Sequence, residues 1–549
     1  MPFVLRNINL ELDEPEENLL NHVAQRLRVP PTAIRSYSIV HRSLDARRKD
    51  LRFNYQLEVA LNESPKAERA HLRRLRPNQA DWIETPAATE PPIGHEPMPN
   101  RPIVIGFGPG GMFAALQFAE HGYRPLILER GRDVRRRHRD IMHRFYRLHE
   151  FDETSNLLFG EGGAGTYSDG KLYTRIHDPL CRQVLEAFYR HGADPNILID
   201  ARPHIGSDRL PTICTRIRER IESLGGEVRF ECHVDDIRVT DGRLTALQIA
   251  GDGGRSDEWL DAGPTILAIG HSARDTIRML HRHGVRLVSK PFQIGVRIEH
   301  PQSLVDLWQY GQAAGHARLE PAEYQLVAKG AASERGDVFS FCMCPGGVIL
   351  PTNESAGLIA TNGASKSQRS SPFANSGLVM TLDPNALGGD GATDAEVALN
   401  GMAYQERWER LAFATTGGTY QVPAQRAIDF VNSRGSDGAL ETSYPLGGQW
   451  TDIAGIIPNS LSDALRRALP MLEACFPGYA GREALITAPE TRASAPFRIL
   501  RDSTTRESVS VADLYPVGEG AGYAGGIISA AVDGLKSAAA IMARFAPPR

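Results

Sequence analysis

The sequence is poor in cysteine. It has six (Cys181, Cys214, Cys232, Cys342, Cys344 and Cys475) in 549 residues, too few for a disulfide scaffold and at spacings that match no common zinc pattern. No apolar run approaches the roughly 18–20 residues that a membrane helix requires; the longest are short pieces such as Pro264–Ile269. The start lacks a basic and apolar leader and carries Glu11, Asp13, Glu14, Glu16 and Glu17 instead, which argues against a secretory signal. Neither charge dominates: 62 Lys+Arg face 66 Asp+Glu, a net −4, so no nucleic-acid or membrane bias follows from charge alone. His281 and His283 have no ligand companions, and no metal is expected. These absences together predict a soluble, cytoplasmic chain with no membrane partner.

Glycine is what the chain has in excess: 52 residues, above the roughly 7% of average usage. A 41% hydrophobic fraction excludes wholesale disorder. At roughly 100–200 residues per domain, the length allows three to five units.

Phe53, Tyr55, Leu57, Val59 and Leu61 alternate with polar residues, the period-two mark of a half-buried strand. Val4–Leu12 reads as another strand. Leu19, Leu20, Val23 and Leu27 share one face of a helix over Glu14–Arg28. A small α+β module over 1–85 follows, then a proline-rich linker at 86–101. From Pro102 the texture is strand (Ile103–Ile105), glycine turn, helix (Met112–His121) and strand (Leu126–Leu128), the start of a parallel α/β unit. Residues 102–290 continue it, 291–480 read as an irregular inserted α+β domain, and 481–549 return to strand, glycine turn and helix. The fold class expected is α/β: a discontinuous Rossmann-like domain with an inserted α+β domain and a small N-terminal module.

Gly106, Gly108 and Gly111 form a GxGxxG between an apolar strand and an Ala-rich helix. The first allows the tight turn, the second a close approach of backbone to a pyrophosphate, and the third close helix packing; Pro109 and Gly110 complete the loop. Glu129 ends the next strand, where a carboxylate accepts ribose hydroxyls. Arg130 and Arg132 follow it, near the expected adenosine phosphate. A second cluster, 160–172, contains Gly162, Gly163, Gly165, Thr166, Ser168, Asp169, Gly170 and Lys171, and has too many glycines for a plain connection. A third runs from Gly518 and Glu519 to Gly525, Gly526 and Ile527, again strand to helix, with an acid after the strand. NAD and FAD share the first half-site; the third cluster resembles the late strand of two-dinucleotide-fold flavoproteins, whose acid meets the ribityl chain, and that resemblance implies FAD.

Five further segments carry a family resemblance: Pro291–His300, Phe341–Gly347, Thr491–Ile499, 518–527 and Ser43–Arg47, together with 160–172. In these the chain resembles the FAD-dependent dehydrogenases of uncharacterised substrate, distant relatives of the glutathione-reductase-type flavoproteins, over nearly its whole length. Gln293, Ala493 and Tyr167 depart from that pattern without touching the cofactor half-sites. The resemblance implies FAD and a redox role, places Ile266–Gly270 beside the adenosine half of the cofactor with Gly270 at its turn, sets Val234 near the adenine, and defines no substrate.

Catalytic candidates are polar groups on loops beside the flavin: Lys171, Cys344 and Arg492. Lys171 either stabilises anionic reduced flavin or pairs with Asp169. Cys342 and Cys344, two apart in an alternating strand, share a face; they are either a redox pair or small residues packed on Gly346-Gly347. Arg297 and Glu299 share a strand face and form an internal ion pair on this reading, while Arg492 and Arg498 either bind an anionic substrate or pair internally. His271 reads as a turn residue. The segment 130–148 holds eight Arg and two Asp with an apolar stripe of Val134, Ile141, Phe145 and Leu148, and is read as a solvated helix face. The leading expectation is an FAD oxidoreductase acting on a small molecule. No second GxGxxG unit follows residue 130, so NAD(P)H, as donor, would bind transiently. An RNA-modifying flavoprotein and a non-catalytic flavin redox sensor are the competing readings. Oligomeric state does not follow.

Overall fold

The computed structural model describes residues 3–47, 50–76, 78–82, 90–250, 258–332, 336–389 and 391–548. Parts of the expected N-terminal module and linker, including 83–89, lie outside the described residues. Residues 90–101 contain no helix or strand, apart from a bridge of Glu96 to Phe545.

A five-stranded parallel sheet has the order Leu514–Pro516, Thr265–Leu267, Ile103–Ile105, Leu126–Leu128, Glu227–Arg229. The inner strands Ile103–Ile105 and Leu126–Leu128 are wholly apolar and buried because both faces are covered, whereas the edge strand Glu227–Arg229 is half-buried and carries charges. Val104, Ile127, Ile266 and Tyr515 pack on one side against the helices Pro109–Glu120, Leu210–Ser223 and Ile527–Arg544. Ile103, Ile105, Leu126, Leu128, Leu267 and Leu514 pack on the other against an antiparallel sheet that includes Val234–Thr240 and Arg243–Ile249. The helices Pro109–Glu120 and Ile527–Arg544 approach so closely that a Cβ at Gly534 would fall 2.0 Å from the Gly110 carbonyl oxygen. The C-terminal strand and helix therefore complete the sheet that Ile103–Ile105 begins.

The segment read as irregular is a seven-stranded, mainly antiparallel sheet. Its order is Val327–Ala328, Val338–Cys344, Phe373–Leu382, Phe292–Pro301, Leu485–Glu490, Val422–Arg426, Gly448–Trp450. Leu485–Glu490 lies between two strands of this sheet, so the sheet runs past the expected boundary at 480. Two long helices also escaped the sequence reading, Asp394–Thr415 and Asn459–Cys475. The first begins with a capping box, Thr393 and Glu396 bonding each other's backbone N–H.

In the N-terminal sheet, ordered Ile34–Asp45, Arg52–Leu61, Phe3–Glu11, Ala80–Trp82, Tyr55, Leu57, Val59 and Leu61 are buried as the alternation predicts. The helix starts at Leu19, after a 3-10 turn Glu16–Asn18, later than the apolar spacing suggested. Arg42 ties this sheet to the body through backbone bonds with Ile199 and Ala201 and an ion pair to Asp200. Among the described residues, no helix is long and apolar enough to cross a membrane, and no group of three or more His, Cys, Asp or Glu side chains could hold a metal ion.

Candidate active site

The chain leaves Ile103–Ile105 through Gly106 at φ +92°, where a Cβ would lie 2.5 Å from the Ala268 carbonyl oxygen; only glycine fits. Gly111 is equally constrained, since a Cβ there would meet the Gly106 carbonyl oxygen at 2.0 Å. Pro109 opens the helix, where its missing N–H costs nothing. The first-turn N–H groups have no intrahelical acceptor, so this positive helix end is an anion seat. Glu129 is buried, and its carboxylate accepts N–H bonds from Phe107 (2.8 Å), Gly131 (2.9 Å) and Gly160 (2.9 Å). It ties the glycine turn to the 160s loop. Arg137, fully buried, fixes that loop by donating to the carbonyls of Asn156 (2.8 Å), Glu161 (2.7 Å) and Gly163 (2.9 Å).

Between these elements lies a cavity of ≈ 1330 Å³, larger than the usual 300–1,000 Å³ of a small-ligand pocket. It runs from Gly106, Glu129 and Val234, past the 163–170 loop, to Gly518–Ile527 and out to Lys171, Cys342 and Arg492. Its glycines fall into two groups. Gly106 is required by the chain itself, whereas at Gly108 an added Cβ meets only Gly163 Cα, at an ordinary 3.8 Å, and at Gly525 and Gly526 it meets nothing within 4 Å. Gly108 has φ −76° and Gly526 φ 169°, which any residue adopts. Neither sterics nor backbone conformation demands glycine there, and each leaves bare backbone on the cavity wall. FAD fits this donor set, with a carboxylate for the ribose, one helix N-terminus for the pyrophosphate and a second, that of Ile527–Arg544, beyond it.

At the far end, Lys171 donates to the Met343 carbonyl and lies 3.5 Å from Asp169, 3.9 Å from Cys342 Sγ and 3.7 Å from Cys344 Sγ. Tyr173, Tyr324, Phe339 and Phe341 give this end an aromatic lining. Arg492 is held by Glu409 (2.8 and 3.0 Å) and Glu354, and Glu409 also takes Arg274 at 2.9 Å. Beside this cluster His271 Nδ1 lies 3.7 Å from the Glu519 carboxylate. Burial, with the positive charges of Arg492 and Arg274, pushes His271 down to about 3, leaving it neutral. Burial pushes Glu519 up to about 7, against the opposing pull of Lys290.

That shift has a sign that can be measured. The folded protein keeps the Glu519 proton up to about pH 7, whereas the unfolded chain releases it near the ordinary 4.5, so stability falls as pH rises through this window. Glu519→Gln is expected to flatten the decline in melting temperature of the flavin-free protein between about pH 5 and pH 8. An unchanged slope would place the carboxyl in its ordinary range.

Most of the cofactor and catalytic candidates line the cavity; Gly111, Arg132, Gly162, Thr166, Cys344 and Arg498 do not. Thr166 is buried and donates to the Glu161 carbonyl at 2.7 Å, and Gly162 packs on Thr166 and Cys214. Arg130 lines the cavity, paired with Asp275 and stacked 4.3 Å over Phe159. Arg132 is instead engaged with Asp140, Asp152 and Glu231. Leu148 is exposed rather than part of a stripe, because a π-helical turn at Asp140–Phe145 shifts the face. Arg297 pairs with Glu490, not Glu299, which accepts from Ser443. The expected alternation of Val338–Cys344 fails as well: its register against Phe373–Leu382 shifts between Phe341 and Cys344, and Cys342 takes φ +43°. Arg498 donates to the Gly522 carbonyl and faces the Tyr523 ring. His271 is a cavity residue, not a plain turn residue. It and Arg137 were missed because their surroundings come from distant segments.

Comparison with known proteins matches residues 291–493 to the family described as FAD-dependent protein, C-terminal domain-like, a span that contains the seven-stranded sheet. Residues 4–60 match a domain of unknown function, DUF8436. An uncharacterised protein of Clostridium beijerinckii is 39% identical over 551 residues, covering 100% of both chains. Among solved structures, glycine oxidase from Bacillus cereus is similar at 10% identity and a TM-score of 0.35, covering 81% of this chain and 98% of that one. The 3-ketosteroid-delta4-(5alpha)-dehydrogenase of Rhodococcus jostii gives 11%, 0.33, 81% and 96%. Thermovibrio ammonificans THI4 gives 17% and 0.24, over 34% of this chain and 63% of its own. By its full-length identity the chain belongs to the same family as the Clostridium protein, and its residues 291–493 match the domain described as FAD-dependent protein, C-terminal domain-like.

Proposed function

We propose that the protein is an FAD-dependent oxidoreductase that transfers hydride or electrons between bound flavin and a small molecule taken up at the Lys171 and Cys342 end of the cavity. The observation that carries this is the set Gly108, Gly525 and Gly526, at the two helix N-termini, whose missing side chains nothing in the chain requires. Bound FAD supplies hydride and one-electron transfer, which side chains do not. In this reading Glu129 accepts the ribose hydroxyls, and the first turn of Pro109–Glu120 holds the pyrophosphate. The N-terminus of Ile527–Arg544 and the Lys171 ammonium provide positive potential where negative charge develops. Neutral His271 and the protonated form of Glu519 offer a proton donor and acceptor pair beside it. NAD(P)H, as electron donor, docks transiently over the same cavity.

The test is an absorbance spectrum of the purified protein, followed by anaerobic mixing with NADH and with NADPH. A flavin spectrum that bleaches with one nucleotide is the expected result and identifies the donor. Bleaching by neither makes the small molecule the reductant. A colourless protein that takes up no added FAD removes the proposal.

A further inference from the structure

The strand Val338–Cys344 is built in a way that packing alone does not require. Phe341 pairs with Gly377 and Cys344 with Asn375, so Cys342 and Met343 together oppose the single residue Ser376. This is a bulge, and its first residue, Cys342, sits in the left-handed region at φ +43°, a conformation that costs a non-glycine residue of order 1 kcal/mol. The bulge turns Cys342 to the cavity wall and leaves Cys344 fully buried behind it. The Lys171 ammonium lies 3.9 Å from the first sulfur and 3.7 Å from the second. The two thiols share one cation but have unequal access.

We propose that Cys342 and Cys344 form a thiol–disulfide exchange centre that reduces a disulfide carried on an apolar or aromatic body, with Cys342 as the attacking sulfur and Cys344 as the resolving one. The reading goes beyond a flavin oxidoreductase and does not need flavin for its first turnover. The Cys342 thiolate attacks one sulfur of the substrate disulfide; a mixed disulfide forms and the other substrate sulfur leaves as thiolate. Cys344 then attacks the Cys342 sulfur, its proton passing to a departing sulfur. The products are a Cys342–Cys344 disulfide, one substrate thiol and one substrate thiolate. Two electrons from reduced flavin or from an external dithiol restore the pair.

The electrostatics agree with this division. The Cys344 S–H, with Lys171 and Arg297, holds the Cys342 thiol well below the usual range despite burial, while proximity to that thiolate and burial push Cys344 up. A low thiol pKa makes the thiolate, the attacking species, available near neutral pH. Access separates the roles, since a sulfur enclosed behind Cys342 reaches Cys342 and not a ligand in the cavity. Tyr173, Phe339 and Phe341 around the entrance select the apolar body.

The test uses the full chain, reduced and freed of reductant, mixed with 5,5′-dithiobis(2-nitrobenzoic acid) in the absence of flavin, with peptide mapping by mass spectrometry. The expected result is a fast release of two thiolates per chain, with residues 342 and 344 joined in one peptide two hydrogens lighter. Cys344→Ser should stop at one equivalent with the adduct on Cys342. Lys171→Met should slow the fast phase about tenfold or more at neutral pH and move its pH profile upward, one unit of thiol pKa being a tenfold change. The exposed Cys475 is the internal reference. Wild-type modification of Cys342 with the same rate and pH profile as Cys475 overturns the proposal, and so does a fast phase of two equivalents from Cys344→Ser, counted apart from the slower release at Cys475. Because no flavin is present, either failure leaves the FAD reading intact, and loss of FAD binding leaves this one testable.

Discussion

Gly108→Val is expected to yield a folded protein that melts, free of flavin, like the wild type but retains no FAD through gel filtration. The Cβ of the new residue has ordinary contact with Gly163 Cα at 3.8 Å and no closer protein neighbour, so the chain accepts it. Its methyl groups then occupy the space beside the first turn of Pro109–Glu120 that a pyrophosphate needs. Losing two or three charge-assisted hydrogen bonds, at about 1.5–3 kcal/mol each, weakens binding by at least about a hundredfold. Gly111→Ala is the contrasting control. A Cβ 2.0 Å from the Gly106 carbonyl oxygen damages the turn itself, so here stability and flavin content fall together. Stoichiometric flavin in Gly108→Val would mean that the pyrophosphate lies elsewhere.

The second large effect is structural. Arg297→Met is expected to destabilise the protein by about 3–5 kcal/mol, the cost of leaving a buried charge uncompensated. Arg297 and Glu490 are both 0% exposed. They pair through two bonds of 2.7 and 2.8 Å, and the guanidinium also donates to Asn375 (2.7 Å), Asn362 (3.0 Å) and the Cys342 carbonyl (3.3 Å). Without the cation, Glu490 must ionise alone in the sheet or take up a proton. Adding Glu490→Gln should recover a large part of the loss, because the double variant buries no net charge. Thermal unfolding of the two single variants and the double variant measures this coupling directly. A wild-type melting temperature for Arg297→Met would refute it. Since the same guanidinium holds the Cys342 backbone, the variant should also blunt the fast thiol reaction.

The parts legible in the sequence are those governed by local backbone rules. The glycine turn at Gly106–Gly111 could be read because Gly106 and Gly111 answer contacts with the adjacent strand and within the turn itself. The alternation of Arg52–Leu61 could be read because one face is buried along its whole length. Other features depend on partners far along the chain. Arg297 finds Glu490 193 residues later, and its neighbour Glu299, closer in sequence, loses that competition. Helix Asp394–Thr415 escaped because Ala398 and Met402 join one core while Ala412 joins another, which dissolves the single apolar stripe that periodicity detects. Arg137 is one of eight similar arginines, and only the position of the π-turn and the 160s loop decides which of them is buried. Cys342 was misread for a smaller reason: one extra residue in a strand reverses every side chain beyond it.

The position of Leu514–Pro516 beside Thr265–Leu267 has a consequence for synthesis. A nascent chain that has emerged to residue 500 contains Glu129, the Gly106–Gly111 turn and the strand Val338–Cys344, yet Thr265–Leu267 still presents an unpaired edge and the helix N-terminus at Gly526 does not exist. Completion of the cavity is therefore a late step, reached by a nearly full-length polypeptide. Until then, that edge keeps its backbone N–H and C=O groups unpaired.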